Sequence, residues 1–231
     1  DDLTRLQHTV ILSATAVDVT IYTLPYFQNF DAVTTPNLPV DWNSIFTSPG
    51  YVRSSTTSPH STPNCMYIYN STSTAGPYLI APPITNTIPM NTVRVRFWAK
   101  GSTSYVLSVG ITGDPTDALT YEQTTSFNLT SSWAEYVVGF QTYAGTGRYI
   151  TFKHGNASTS QSIYVDDVMI EVIADNDLAA VSLTGNESPS VGNPYTYTVA
   201  VTNWGSLPQS NYLVKLYNSD NLELASVAGP A

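Results

Sequence analysis

The stretch Tyr164–Val172, YVDDVMIEV, decides how this chain is read. It reads as a closing β-strand that carries two adjacent acidic residues, Asp166 and Asp167. Neighbouring residues on a strand point to opposite faces. One of the two aspartates must therefore face inward or into the strand edge, where a carboxylate needs a partner. A second strand-forming segment begins at Asp177, so the same stretch marks a boundary between modules.

Upstream of that strand the period-2 pattern recurs. Val93, Val95 and Phe97 fall on one face, with Arg94, Arg96 and Trp98 on the other. Tyr105, Leu107, Val109 and Ile111 alternate with Val106, Ser108 and Gly110. Tyr136, Val138 and Phe140 form another series, and Ile150 with Phe152 a fourth. No helical period is sustained over about 11 residues. Short alternating runs separated by Gly, Pro, Asn and Ser predict an antiparallel β-sandwich. Residues 34–64 hold five prolines and little periodicity, and read as long irregular connections around one or two short strands. Such loops bind ligands or simply cover the surface.

Composition narrows the function classes. Of 231 residues only 11% are charged, and the formal net charge is −9, from 8 basic and 17 acidic side chains. Nucleic-acid and anionic-membrane binding need clustered Lys and Arg, so both are disfavoured. An aromatic content of 12% and a hydrophobic content of 42% exclude a disordered chain. The single cysteine, Cys65, permits no internal disulfide and reads as a small core residue. No apolar run reaches the length of a membrane span.

The two ends read differently from the middle. After residue 174 four further strands are expected: Leu178–Leu183, Tyr195–Asn203, Tyr212–Tyr217 and Leu222–Val227. An immunoglobulin-like sandwich needs about seven. Residues 1–24 are strand-like, with Val17, Val19 and Ile21 alternating with Asp18, Thr20 and Tyr22. They read as the end of a preceding module or as an arm on the main one. The expected organisation is an N-terminal strand or linker at 1–24, a main domain at 25–174 and a partial domain at 175–231. Both a segment of a longer protein and a subunit that exchanges terminal strands fit these ends.

Six landmarks in order carry a resemblance to a known family. They are PYFQNFDAVTTPNLPVDWNSI at 25–45, YLIAPPI at 78–84, VRVRFWAKG at 93–101, VGITGDPTDALTY at 109–121, SWAEYVVGF at 132–140 and YVDDVMIEV at 164–172. Together they resemble the cleaved-adhesin, or choice-of-anchor J, family. That family is a MAM-like jelly roll of large secreted Bacteroidetes-type proteins. In the tail, DLAAVSL, VGNPYTYTVAVTNWGS and YLVKLYNSD resemble a CARDB-type immunoglobulin-like domain. The resemblance implies an all-β jelly-roll sandwich followed by a partial immunoglobulin-like sandwich. It also implies an extracellular, cell-surface setting, often reached by type IX secretion.

The resemblance further implies a structural calcium between the first and last strands. Asp31, after Phe30, takes the place of one ligand, and Asp166 or Asp167 takes the place of the closing pair. Calcium favours such oxygen donors. The other reading has the pair capping a strand edge through backbone amides. Asp114 and Asp117, in GDPTD, are a second candidate or ordinary turn chemistry. For glycan binding, an exposed aromatic platform is needed; Trp98 beside Arg94 and Arg96, with Tyr51 and Tyr121, is the candidate set. Trp133 is a further aromatic that, with Trp42, is expected to pack in the core, and Trp98 itself reads equally as covered by a crossing loop. Catalytic motifs are absent, and His8, His60 and His154 are widely separated. The expected role is non-catalytic adhesion to a glycan or to a host or neighbouring-cell protein. A spacer or filament subunit, and an accessory domain of a secreted hydrolase, are the alternatives.

Overall fold

The computed structural model describes residues 18–71, 76–156 and 160–229. Its strands are β1 (Tyr26–Gln28), β2 (Asn43–Ile45), β3 (Tyr51–Ser55), β4 (Cys65–Asn70), β5 (Tyr78–Pro83), β6 (Val93–Gly101), β7 (Val106–Thr112), β8 (Tyr121–Asn128), β9 (Ala134–Gly139), β10 (Tyr149–His154), β11 (Gln161–Val172), β12 (Leu178–Thr184), β13 (Thr198–Asn203), β14 (Leu213–Tyr217) and β15 (Glu223–Ala228). One sheet runs β3-β4-β11-β6-β9, with β1 added beside β11; the other runs β2-β5-β10-β7-β8. All strand pairings within both sheets are antiparallel. The two sheets form an antiparallel sandwich, as the alternation predicted, in the jelly-roll form that the resemblance implied.

The core lies where the alternation places it. Val93, Val95, Phe97, Leu107, Val109, Ile111, Ile150 and Phe152 are all buried between the sheets. Period-2 strands bury one face by packing it on another layer, here the second sheet. Aromatic rings fill the middle. Phe97 meets Phe152 edge-on at 4.9 Å, and Trp42 meets Phe30 at 5.1 Å and Phe152 at 6.3 Å. The Trp42 indole N–H donates to the Tyr26 hydroxyl at 3.0 Å, which satisfies a polar atom that burial would otherwise orphan. Cys65 is buried as expected, and burial pushes its thiol up to about 12, so it is inert.

YVDDVMIEV is the second half and more of β11, the central strand of its sheet. One flank of β11 pairs with β4 over Gln161–Val165 and then with β1 over Val168–Ile170. The other flank pairs with β6, with a register shift between Asp166 and Met169. The first strand and the last are thus joined by backbone ladder bonds. Further out, Ile21 bridges Ile84 and is buried, so the described part of the N-terminal arm packs on the sandwich. Residues 1–17, His8 included, lie outside the described residues.

Residues 34–64 contain two short strands among irregular connections, as expected. In the tail, β12 pairs β13 and β14 pairs β15 as two separate two-stranded sheets. No helix among the described residues is long and apolar enough to cross a membrane.

Candidate functional site

The acidic pair sits on a β-bulge. Asp167 adopts φ +46°, a left-handed conformation that Asp tolerates better than most residues. Strict alternation would point the two carboxylates apart. The bulge inserts a residue and re-aims the side chains, so both meet the same loop. Asp166 is fully buried. Its Oδ2 accepts the backbone N–H groups of His60 at 2.8 Å and Ser61 at 3.1 Å, and its Oδ1 accepts that of Asp167 at 2.8 Å. Burial raises its pKa to about 7, against the pull of those N–H bonds. Asp167 holds the His60 ring through Nδ1 at 2.6 Å and accepts the Ser61 hydroxyl at 2.8 Å.

This latch fixes the connection from Thr56 to Asn64 over one end of the outer sheet face. His60 stacks on Trp98 with ring centroids 3.9 Å apart and planes 14° from parallel. Trp98 is thereby covered by a crossing loop. Trp133, expected in the core, lies instead on the outer face. Its indole N–H donates to Ser58 O at 3.2 Å, and its ring meets His60 edge-on. The reason is register: Ala99 opposes Ala134, which puts Trp133 beside Lys100 on the outward side.

The other sequence candidates are not brought together. Arg94 is 7% exposed and bonds Glu171 at 2.9 Å, Asp177 at 2.6 Å and Trp204 O at 3.2 Å. Arg96 lies beside Glu171 at 2.9 Å and Glu135 at 3.7 Å. Both arginines tie strands together and are engaged by carboxylates. Tyr121 belongs to the opposite sheet, where its ring packs edge-on against Tyr78 at 5.5 Å and burial raises its pKa. Tyr51 alone joins an open aromatic surface.

That surface is built by strand register. Arg53 opposes Tyr67, Tyr67 opposes Tyr164, and Tyr164 opposes Lys100, which sets one outward row across β3, β4, β11 and β6. A second row holds Tyr51, Tyr69 and Ser162. Ring centroids are 5.1 Å apart for Tyr51–Tyr69 and Tyr67–Tyr164, and 5.7 Å for Tyr51–Tyr67. All four rings are half-buried. The Arg53 guanidinium lies 4.6 Å from the Tyr51 ring centre, and the Lys100 ammonium 4.8 Å from Trp133 and 5.2 Å from Tyr164. The Tyr67 and Ser162 hydroxyls bond at 2.7 Å. Sequence reasoning passed over Tyr67, Tyr69, Tyr164, Arg53 and Lys100. The signal was present in CMYIYN, whose tyrosines alternate with Met66 and Ile68.

Neither candidate calcium site has the form of a ligand shell. Among the described residues no group of three or more His, Cys, Asp or Glu side chains converges. Asp31 accepts the Asn29 amide and the Asn64 backbone N–H, so each oxygen of Asp31, Asp166 and Asp167 already faces a protein donor. Those N–H and O–H groups give each of these oxygens a protein partner, so the hydrogen bonds alone hold the carboxylates in place. Asp114 accepts Thr116, and Asp117 accepts the Leu119 N–H, as turn and cap bonds.

Comparison with known proteins gives a fold and no family. No family model matches the chain, and no curated protein matches it. Among solved structures, the K2 cleaved-adhesin domain of Lys-gingipain aligns at 17% identity and TM-score 0.52, covering 64% of this chain and 99% of that domain. The K1 cleaved-adhesin domain of Lys-gingipain from Porphyromonas gingivalis aligns at 15% identity and TM-score 0.52, covering 65% and 99%. A CBM22-1 xylan-binding domain from Paenibacillus barcinonensis aligns at 13% identity and TM-score 0.44, covering 64% and 92%. About two thirds of this chain is therefore similar in fold to the cleaved-adhesin jelly rolls of Lys-gingipain.

Proposed function

We propose that this chain is a non-catalytic recognition module of an extracellular protein, and that it binds a glycan across the outer face of the six-stranded sheet. The observation that carries the reading is the pair of tyrosine rows, Tyr67–Tyr164 and Tyr51–Tyr69, left half-open on a rigid sheet. Sugar rings have an apolar face that packs on aromatic rings, while phenol and serine hydroxyls around it match the ring's own hydroxyls. The domain division at 25–174 and 175–231, and the CARDB-like character of the tail, are part of this proposal.

The residue types of a hydrolytic triad meet at the latch, but not in a working order. The Ser61 hydroxyl donates to Asp167, not to His60, so the Ser–His relay of a triad is not formed. His154 is fully buried, and burial lowers it to about 4. These contacts support the non-catalytic reading.

The test is calorimetric titration with a panel of oligosaccharides. Tyr67→Ala and Tyr164→Ala are each expected to weaken binding about thirtyfold, the effect of losing an interface anchor of about 2 kcal/mol. Tyr22→Ala, at an exposed tyrosine away from the sheet face, is expected to bind as wild type. Undiminished binding by both sheet variants overturns the reading.

A second reading, a spacer or filament subunit, draws on the tail. Leu183, Tyr197, Val199, Val214, Leu216 and Val227 line an open hollow of about 530 Å³ there. An open apolar sheet face is a surface on which adjacent modules or copies pack. Sedimentation over a concentration series checks it: a monomer throughout argues against self-assembly.

A further inference from the structure

The charge distribution over the tyrosine rows identifies the class of glycan, an inference that rests on the reading above. Seven of the eight basic side chains are among the described residues. Arg94, Arg96 and Lys215 are paired with carboxylates, and Arg148 donates to the Ile84, Thr85 and Ile88 carbonyls. Among the described residues, Arg53, Lys100 and Lys153 have no carboxylate partner. Two of these three bracket one row, Arg53–Tyr67–Tyr164–Lys100. The Lys100 ammonium donates to the Ser58 hydroxyl, which leaves its charge uncompensated. In a chain of net charge −9, cations without a carboxylate partner at both ends of one aromatic row point to an anionic ligand.

The Lys100 end is a built subsite. Lys100, Gly101, Ser102, Tyr105, Ser131, Ser162 and Tyr164 line an open hollow of about 290 Å³, and Lys100 is the only charged group in that lining. Three serines and two tyrosines offer hydroxyls around one ammonium. That is the complement of a sugar ring bearing one negative group. Three strand spacings separate Arg53 from Lys100, about 14 Å, the reach of a short oligosaccharide. The β11 carboxylates Asp166 and Asp167 are bonded to the His60–Ser61 segment rather than to Lys100 or Arg53. The overall negative charge does not cancel the local field, since charges beyond about 8 Å are screened at physiological salt.

We propose that the outer face binds an acidic glycan, one carrying carboxylate or sulfate groups. A charged sugar seats in the hollow at Lys100, and the chain crosses Tyr164 and Tyr67 toward Arg53.

The experiment is titration of the protein with size-matched oligosaccharides: neutral, uronic-acid-bearing and sulfated. The proteins are wild type, Lys100→Gln, Arg53→Gln and Tyr67→Ala, with melting temperature recorded for each. Arg53 is exposed, so its variant folds irrespective of the Lys100 variant. An acidic chain is expected to bind at least tenfold tighter than its neutral counterpart, with affinity falling as salt rises. Each charge variant is expected to lose about tenfold for the acidic chain and nothing for the neutral one. The uronate and sulfate arms identify which anion is taken. Equal affinity for neutral and acidic chains, with both charge variants unchanged and Tyr67→Ala impaired, overturns the acidic class and leaves glycan recognition standing. No saccharide binding alongside tight binding of a poly-glutamate peptide overturns both.

Discussion

Burial of Asp166 makes stability depend on pH in a direction opposite to that of an ordinary carboxylate. Its folded pKa is raised from 3.8 to about 7 by burial. Between those two values the folded state binds a proton that the unfolded state has released. Stability therefore falls as pH rises through this window, being fully present below the unfolded value. The ceiling is about 4 kcal/mol, from about 1.4 kcal/mol for each tenfold change in proton affinity, or a fall in Tm on the order of 10 °C. His154 acts in the other sense. Burial lowers it from 6.5 to about 4, so its contribution is present above 6.5 and is lost as pH falls toward 4. The two trends offset one another between about pH 5 and 6.5, and wild type should melt at nearly constant temperature there. Above that window only the Asp166 term remains, and Tm should drop toward about pH 8. Asp166→Asn should abolish the drop and expose the rise due to His154. His154→Gln should do the reverse, giving a Tm that falls steadily from about pH 5. Thermal melts of the three proteins across this range decide the matter. A wild-type minus Asp166→Asn difference that stays constant with pH would refute the buried-carboxylate reasoning.

Three further outcomes follow from the geometry. A Cβ at Gly110 would sit 2.1 Å from the Glu122 carbonyl oxygen on β8, so Gly110→Ala should cost more than about 2 kcal/mol by denaturant unfolding; a neutral effect would mean that the β7–β8 bulge yields freely. His60→Ala removes the ring from Trp98 and the Asp167 bond, so tryptophan emission should shift to the red with a loss of about 1 kcal/mol; unchanged emission would place the indole elsewhere. Chelator and added calcium should leave Tm unmoved, because among the described residues no group of three or more His, Cys, Asp or Glu side chains converges; a Tm that drops with chelator and recovers with calcium would restore the metal latch.

Much of the architecture was legible locally. The face of a strand residue is set by its position in a period-2 run, so Val93, Val95 and Phe97 could be assigned to the core, and Leu107, Val109 and Ile111 with them, from spacing alone. The outward face was legible in the same way, since Trp98, Tyr67 and Tyr69 alternate with buried residues. Which outward residues are neighbours was not. Tyr51, Tyr67 and Tyr164 lie far apart in the chain and meet only because β3, β4 and β11 pair in one register. Trp98 looked like a platform because nothing within its own strand reports a loop some forty residues upstream lying over it.

The acidic pair in YVDDVMIEV divides the two kinds of knowledge. Its sequence by itself determined a strand, an inward carboxylate and a need for partners, because alternation and desolvation act on any such strand. Only the tertiary structure decided that a bulge turns both carboxylates toward one loop, and that backbone N–H groups of His60 and Ser61 meet Asp166. It also decided that β1 closes on β11 through ladder bonds. Pairing partners and loop cover arise from long-range packing, which the local pattern constrains but does not specify.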